Sequence, residues 1–128
     1  MKVIKRKTLG YADIVVYDNG IFNIHVLSTV PISLEQAVEI NKIRLTLMED
    51  DKALVLSTSE DEFVVPTPET IKYILSANRM NNVKANAFVI SSFSQRLAAK
   101  AAGRLNKMPA PISFFKSREE AIEWLLNQ

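Results

Sequence analysis

The run ALVLS at residues 53–57 is short, apolar up to its final serine and rich in strand formers. Such a run suits a strand buried on both faces of a parallel sheet. It constrains the rest of the chain, because parallel neighbours need long crossovers, usually helical. The flanking sequence supplies them. Before it, SLEQAVEINKIRLTLMEDDK sets Leu34, Ala37, Val38, Asn41, Leu45 and Met48 at helical spacing, behind a Ser33–Gln36 pair with capping-box spacing. After it, PETIKYILSAN reads as a helix, KANAFVIS as another buried strand and SQRLAAKAAGRLNK as an alanine-rich helix. A last short strand, ISFFK, leads through Ser117 and Glu120, again at capping-box spacing, into the helix REEAIEWLLNQ.

Ahead of these, ADIVVY at 12–17 and IFNIHVL at 21–27 flank Asp18, Asn19 and Gly20. An Asn-Gly hairpin turn places positive φ at both residues. Phe22, Ile24 and Val26 alternate with Asn23 and His25, which sets His25 on the wetter face. The expected order is ββαβαβαβα: an α/β fold whose mixed five-stranded sheet begins with an N-terminal hairpin, continues in parallel strands and carries four helices. A chain of 128 residues, 48% of them hydrophobic, is sized for a single domain over residues 1–128.

Composition narrows the chemistry. The lack of cysteine excludes disulfides, thiolate metal sites and a cysteine nucleophile, and it accords with a cytoplasmic location. The opening MKVIKRKTLGYADIVVYDNG breaks into charged and turn-forming pieces unlike a signal peptide, and no apolar run is long enough for stable membrane insertion. Sixteen basic against 14 acidic residues leave +2, no bulk-charge case for nucleic acid. Gly10, Gly20 and Gly103 are isolated, so neither a dinucleotide fingerprint nor a phosphate loop is present. The acidic runs EDD at 49–51 and SEDE at 59–62 read as solvated loop ends rather than metal sites. His25 is the sole histidine, and no motif supplies it with a nucleophile and an orienting acid. An enzyme would need an acid or hydroxyl beside it in the fold. The expectation is a protein without catalytic residues, metal or cofactor.

The segments DNGIFNIHV, SLEQAVEI and NAFVISSFSQRLAAKAAGRLNKMPAPISFFKSREEAIEWLL, in this order of elements, resemble the STAS family, in particular small bacterial SpoIIAA-like proteins. The resemblance runs from about residue 14 to the end. It implies a non-enzymatic, cytoplasmic interaction or regulatory module that binds a protein partner or itself. In the family's regulatory members a partner kinase phosphorylates a serine in an Asp-Ser-Ser-Gly motif at the helix following the third strand. Aligning LVLS with that strand and IKYIL with that helix puts Pro66 and Thr67 at the serines, Val65 at the aspartate and Pro68 at the glycine. Only Thr67 keeps a hydroxyl, as the candidate phosphorylation site. Read from its neighbours alone, Thr67 is a helix N-cap followed by proline at the first helical position. A phosphate would be electrostatically favoured there as well.

Arg96, Lys100, Arg104 and Lys107 recur at spacings of four, four and three beside an apolar stripe of Leu97, Ala101 and Leu105. Such a row is either a solvated helix face or a basic surface for an acidic protein or phosphorylated lipid head groups. Lys5, Arg6 and Lys7 extend it only if the amino end folds nearby. The STAS plan is also similar to that of CRAL-TRIO lipid carriers. That similarity implies an alternative function, a carrier or sensor of a lipid or other small apolar ligand. Ala98, Ala99, Ala101, Ala102 and Gly103 suit close packing of their helix on the sheet or another subunit, and small side chains beside Phe88, Phe114 and Phe115 would also leave room for such a ligand. A solid core would exclude that alternative.

Overall fold

The computed structural model describes residues 1–103 and 109–128, with side chains described outside 102–108. Among the described residues it has six strands and four helices in the order βββαβαβαβα: β1 (Val3–Thr8), β2 (Ala12–Tyr17), β3 (Ile21–Val26), α1 (Leu34–Met48), β4 (Ala53–Ser59), α2 (Pro68–Ile74), β5 (Val83–Val89), α3 (Phe93–Gly103), β6 (Ile112–Phe115) and α4 (Arg118–Leu126). The strands lie side by side in chain order, antiparallel from β1 to β3 and parallel from β3 to β6.

The expected five-stranded sheet is thus corrected to six. The added strand is β1, VIKRKT, which pairs with β2 from Val3 opposite Tyr17 to Thr8 opposite Asp13. Every β1 residue is exposed, so it carries no apolar alternation by which a buried strand would be recognised. Lys5, Arg6 and Lys7 instead charge a sheet edge, a common protection against pairing with another chain.

The β2–β3 turn also differs from expectation. Only Gly20, at φ +87°, enters the left-handed region; Asn19 keeps negative φ and accepts a bond from Ile21 N at 3.2 Å on its Oδ1. A three-residue loop with glycine at its last position turns the chain without a left-handed Asn19.

The sheet is covered on both faces. Ala12, Ile14 and Val16 of β2, Phe22 and Ile24 of β3 and Val55 of β4 pack beneath Ile40 and Met48 of α1. On the opposite face Ile21, Leu54, Leu56, Ala85 and Ala87 meet Ala121 and Leu125 of α4, with Trp124 tilted against Phe115 at 5.6 Å. Since the strand order advances in one direction, crossovers of one hand place α1 and α2 on one face and leave the other to the terminal helix.

The helix starts follow their sequence signals. Ser33 forms the full capping box, its Oγ accepting from Gln36 N at 3.1 Å while Ser33 N donates to Gln36 Oε1 at 3.0 Å. Ser117 caps α4 through Glu120 N at 3.3 Å. Thr67 is the N-cap of α2, with Pro68 in the first turn and Thr70 N donating to its Oγ1 at 3.4 Å.

The buried face of α1 is rotated from the expected stripe. It consists of Ala37, Ile40, Asn41, Arg44 and Met48, while Leu34, Val38 and Leu45 are half-buried. The pattern of α1 offers apolar residues on several sides, and the choice among them falls to a residue an apolar stripe would not contain. Arg44 is 2% exposed. Its Nη2 donates to Asn41 Oδ1 at 2.8 Å and to the carbonyls of Arg79 at 2.9 Å and Asn81 at 2.8 Å. It thereby pins the helix to the turn that leads into β5.

Candidate ligand-binding cavity

Between the α1/α2 face of the sheet and its helices the core is incomplete. A cavity of about 360 Å3 lies there. Its floor is sheet: Ile24 of β3, Ser57 of β4, Phe88 of β5 and Phe114 of β6. Phe88 and Phe114 are stacked at 5.5 Å. Ala37 and Ile40 of α1 and Ile71, Ile74 and Leu75 around α2 form the walls, and Phe63, Val65 and Pro66 of the β4–α2 segment close one end. Ala99 and the exposed Lys100 bring α3 to its rim. The lining is overwhelmingly apolar, as small-molecule sites usually are.

Two cations interrupt it, Arg79 within and the exposed Lys100 at the rim. Arg79 lines the cavity and is 7% exposed. Its Nη1 donates to Asn86 Oδ1 at 2.7 Å, the sole hydrogen bond of its guanidinium among the described residues. Asn86 is itself buried at the centre of β5 and donates through Nδ2 to Val55 O at 3.3 Å and Ser57 Oγ at 3.4 Å, which fixes its amide with Oδ1 toward the arginine. No carboxylate lies within salt-bridge distance of Arg79 or Arg44 among the described residues. Burial first, and the neighbouring Arg44 second, push the Arg79 guanidinium down to about 10, with Tyr73 opposing. Arg79 therefore stays a cation at neutral pH. A buried charge without a counter-charge is costly, and here two stand together.

On the other face the structure assembles a group that sequence spacing does not announce. His25 Nδ1 lies 2.8 Å from Thr58 Oγ1, and its Nε2 lies 2.8 Å from Glu60 Oε2. The parallel register sets His25 beside Thr58, across 33 residues of chain. His25 is partly exposed, in keeping with the wetter face, but Asn23 is buried and donates to Thr58 Oγ1 at 3.2 Å and Leu56 O at 3.0 Å. Thr58 is 8% exposed and is among the residues lining the cavity, while its hydroxyl serves two strand side chains, Asn23 and His25. No cluster of three or more potential metal-ligating side chains occurs among the described residues.

The remaining candidates are placed as follows. Arg96 turns back on its own segment, donating through Nη1 to Ile90 O at 2.7 Å and Ser91 O at 2.9 Å, with its guanidinium over the Phe93 ring. Lys100 is exposed at the cavity rim, and Arg104 and Lys107 lie outside the described residues. Lys5 does not join this row; its Nζ reaches Leu47 O at 2.7 Å at the end of α1. Thr67 is exposed on α2 next to Pro66 of the cavity wall. Of the aromatic residues expected at a pocket, Phe88 and Phe114 line the cavity, whereas Phe115 packs with α4 on the opposite face. Ala99 lines it too, while Ala98 and Ala101 point outward. Arg79 and Asn86 were not among the expected site residues. The one signal was Asn86, a polar residue in the middle of an apolar strand.

A family model described as Domain of unknown function (DUF7793) matches residues 15–128. No curated protein is matched. Among solved structures the fold is similar to that of an uncharacterized protein of the DUF3478 family with a SpoIIAA-like fold from Shewanella loihica PV-4, with a TM-score of 0.51 and 13% identity over 97% of this chain and 94% of that one. At that identity the likeness concerns the fold, which agrees with the STAS-like architecture expected from the sequence. Among the described residues no helix is long and apolar enough to cross a membrane.

Proposed function

The chain belongs to the DUF7793 family, and from that premise we propose that it is a non-enzymatic module holding a small apolar ligand between its sheet and helices α1, α2 and α3. The cavity carries this reading: about 360 Å3 of space walled by aliphatic and aromatic side chains, within the ~300–1,000 Å3 of typical small-molecule sites. A core of this size would ordinarily be filled, since interiors pack to near-crystalline density. The test is calorimetric binding of 1-octanol to the wild type and to Ala99→Phe and Ile74→Trp, which fill the cavity from two helices. Saturable one-to-one binding that both substitutions abolish, with cooperative unfolding retained, is the expected result. Binding that survives both would move the ligand elsewhere.

The non-enzymatic part rests on the environment of Thr58. The order hydroxyl, imidazole, carboxylate resembles a nucleophile with its base and acid, but the hydroxyl is buried and also accepts the Asn23 amide. The expected outcome is that the protein does not hydrolyse p-nitrophenyl acetate above the buffer rate. Turnover that Thr58→Val removes would contradict it.

A second reading, docking of a protein partner, is favoured by α3. Phe93 and Leu97, one turn apart, are 67% and 52% exposed, with Lys100 alongside. An apolar ridge bordered by acidic residues fits that face. Self-association measured by sedimentation, and its loss in Leu97→Glu, separates a second copy from a different partner.

A further inference from the structure

We propose that the cavity's ligand is an amphipathic anion, a small apolar body ending in a carboxylate, with the guanidinium of Arg79 as its counter-charge. The inference rests on the reading of the cavity as a ligand site and adds the polarity of what fills it. Three observations support it. Arg79 is more than nine-tenths buried, lines the cavity and spends one hydrogen bond on Asn86. Its other nitrogens are not sealed off as the buried Arg44 Nη1 is, and Arg79 stands in the lining of the cavity. The immobilised Asn86 amide and the grip of Arg44 on the Arg79 carbonyl hold the guanidinium in place before any ligand arrives.

The charge balance points the same way. Arg44 and Arg79 bring two cations into one region of the core, with no acidic side chain in salt-bridge range among the described residues. An isolated buried cation is normally neutralised by pairing or by losing its proton, and Arg79, lowered only to about 10 by burial and by Arg44, keeps its proton at pH 7. A planar guanidinium with free donors matches a carboxylate in a bidentate fork. Apart from Ser57, Thr58, Ser59, Ser113 and Lys100 the rest of the lining is apolar, which selects for a ligand whose other end is hydrocarbon. Lys100 at the rim is the competing cation, but it is exposed and hydrated.

The experiment compares octanoate, 1-octanol and octylammonium on the wild type, Arg79→Met and Ala99→Phe, by titration calorimetry at pH 7. Octanoate is expected to bind at least about 10-fold more tightly than 1-octanol, the factor that about 1.4 kcal/mol supplies; octylammonium is expected not to bind. In Arg79→Met octanoate should lose its preference over 1-octanol, and Ala99→Phe should bind neither. If octanoate and 1-octanol bind the wild type equally, the anion assignment fails while the cavity reading stands. If no probe binds, both fail. A preference for octanoate that survives Arg79→Met would put the anion on Lys100 and overturn the role of Arg79. The wild-type comparison decides the matter even if Arg79→Met does not fold.

Discussion

Arg44 and Arg79 show how much a single side chain can decide. Arg44 joins three oxygens from two segments, and each hydrogen bond to a charged group contributes about 1.5–3 kcal/mol, offset by the cost of burying the ion. Arg44→Ala should therefore lower stability by about 3 kcal/mol in urea unfolding, and Arg44→Lys should recover little, because one ammonium cannot reach the same fork of acceptors. Thr67→Ala should cost about 1 kcal/mol and Thr67→Ser almost nothing if the hydroxyl acts as a cap. The affinity for octanoate has a pH dependence with a fixed sign. Burial first and Arg44 of α1 second lower the Arg79 guanidinium from its ordinary range to about 10, with Tyr73 of α2 opposing and Lys100 of α3 on the same cavity. Affinity should be level from pH 7 to 9 and fall above 10 as the cation is lost. Calorimetry on Arg79→Met should show no such fall. At this scale the sequence was least informative: an arginine reads as surface until three-dimensional acceptors make it core, and SANRMNN holds no pattern by which to tell.

Among the elements, those with apolar periodicity were legible and those without it were not. The runs ALVLS and KANAFVIS became β4 and β5 within two residues, and the three serine or threonine caps opened their helices where expected. The strand β1 escaped because an edge needs only backbone pairing, and its charges discourage further pairing. Replacing Lys5 and Lys7 by valine should promote concentration-dependent association in sedimentation experiments, whereas glutamate at both positions should not. Helix α3 was legible as a helix but not in its packing. None of its residues from Phe93 to Ala101 is buried, so its alanines do not seal it to the sheet. Its amides should exchange with deuterium faster than those of α1, which buries five side chains. Octanoate should slow that exchange, because Ala99 and Lys100 border the ligand.

For the molecule as a whole, strand order explains where the cavity sits. One-directional crossovers send α1, α2 and α3 to the same side, and α4 alone fills the opposite face around Leu125 and Ala121. The α/β plan followed from alternating strand and helix signals. A pocket beside Phe88, Phe114 and Ala99 was legible only as an alternative, because its extent depends on how far apart the packed helices stand as well as on the residues they contain. A ligand bound only by the folded state stabilises it by about 2.7 kcal/mol at 100 times its dissociation constant, so octanoate should raise the melting temperature. The most direct measurement is a methyl-resolved NMR titration with octanoate and 1-octanol in parallel. Shifts confined to Ile24, Ile40, Ile71, Ile74 and Leu75 around the cavity are the expected result. No shift there, or shifts centred on Leu54, Leu56 and Leu125 of the opposite face, would contradict the cavity as a ligand site.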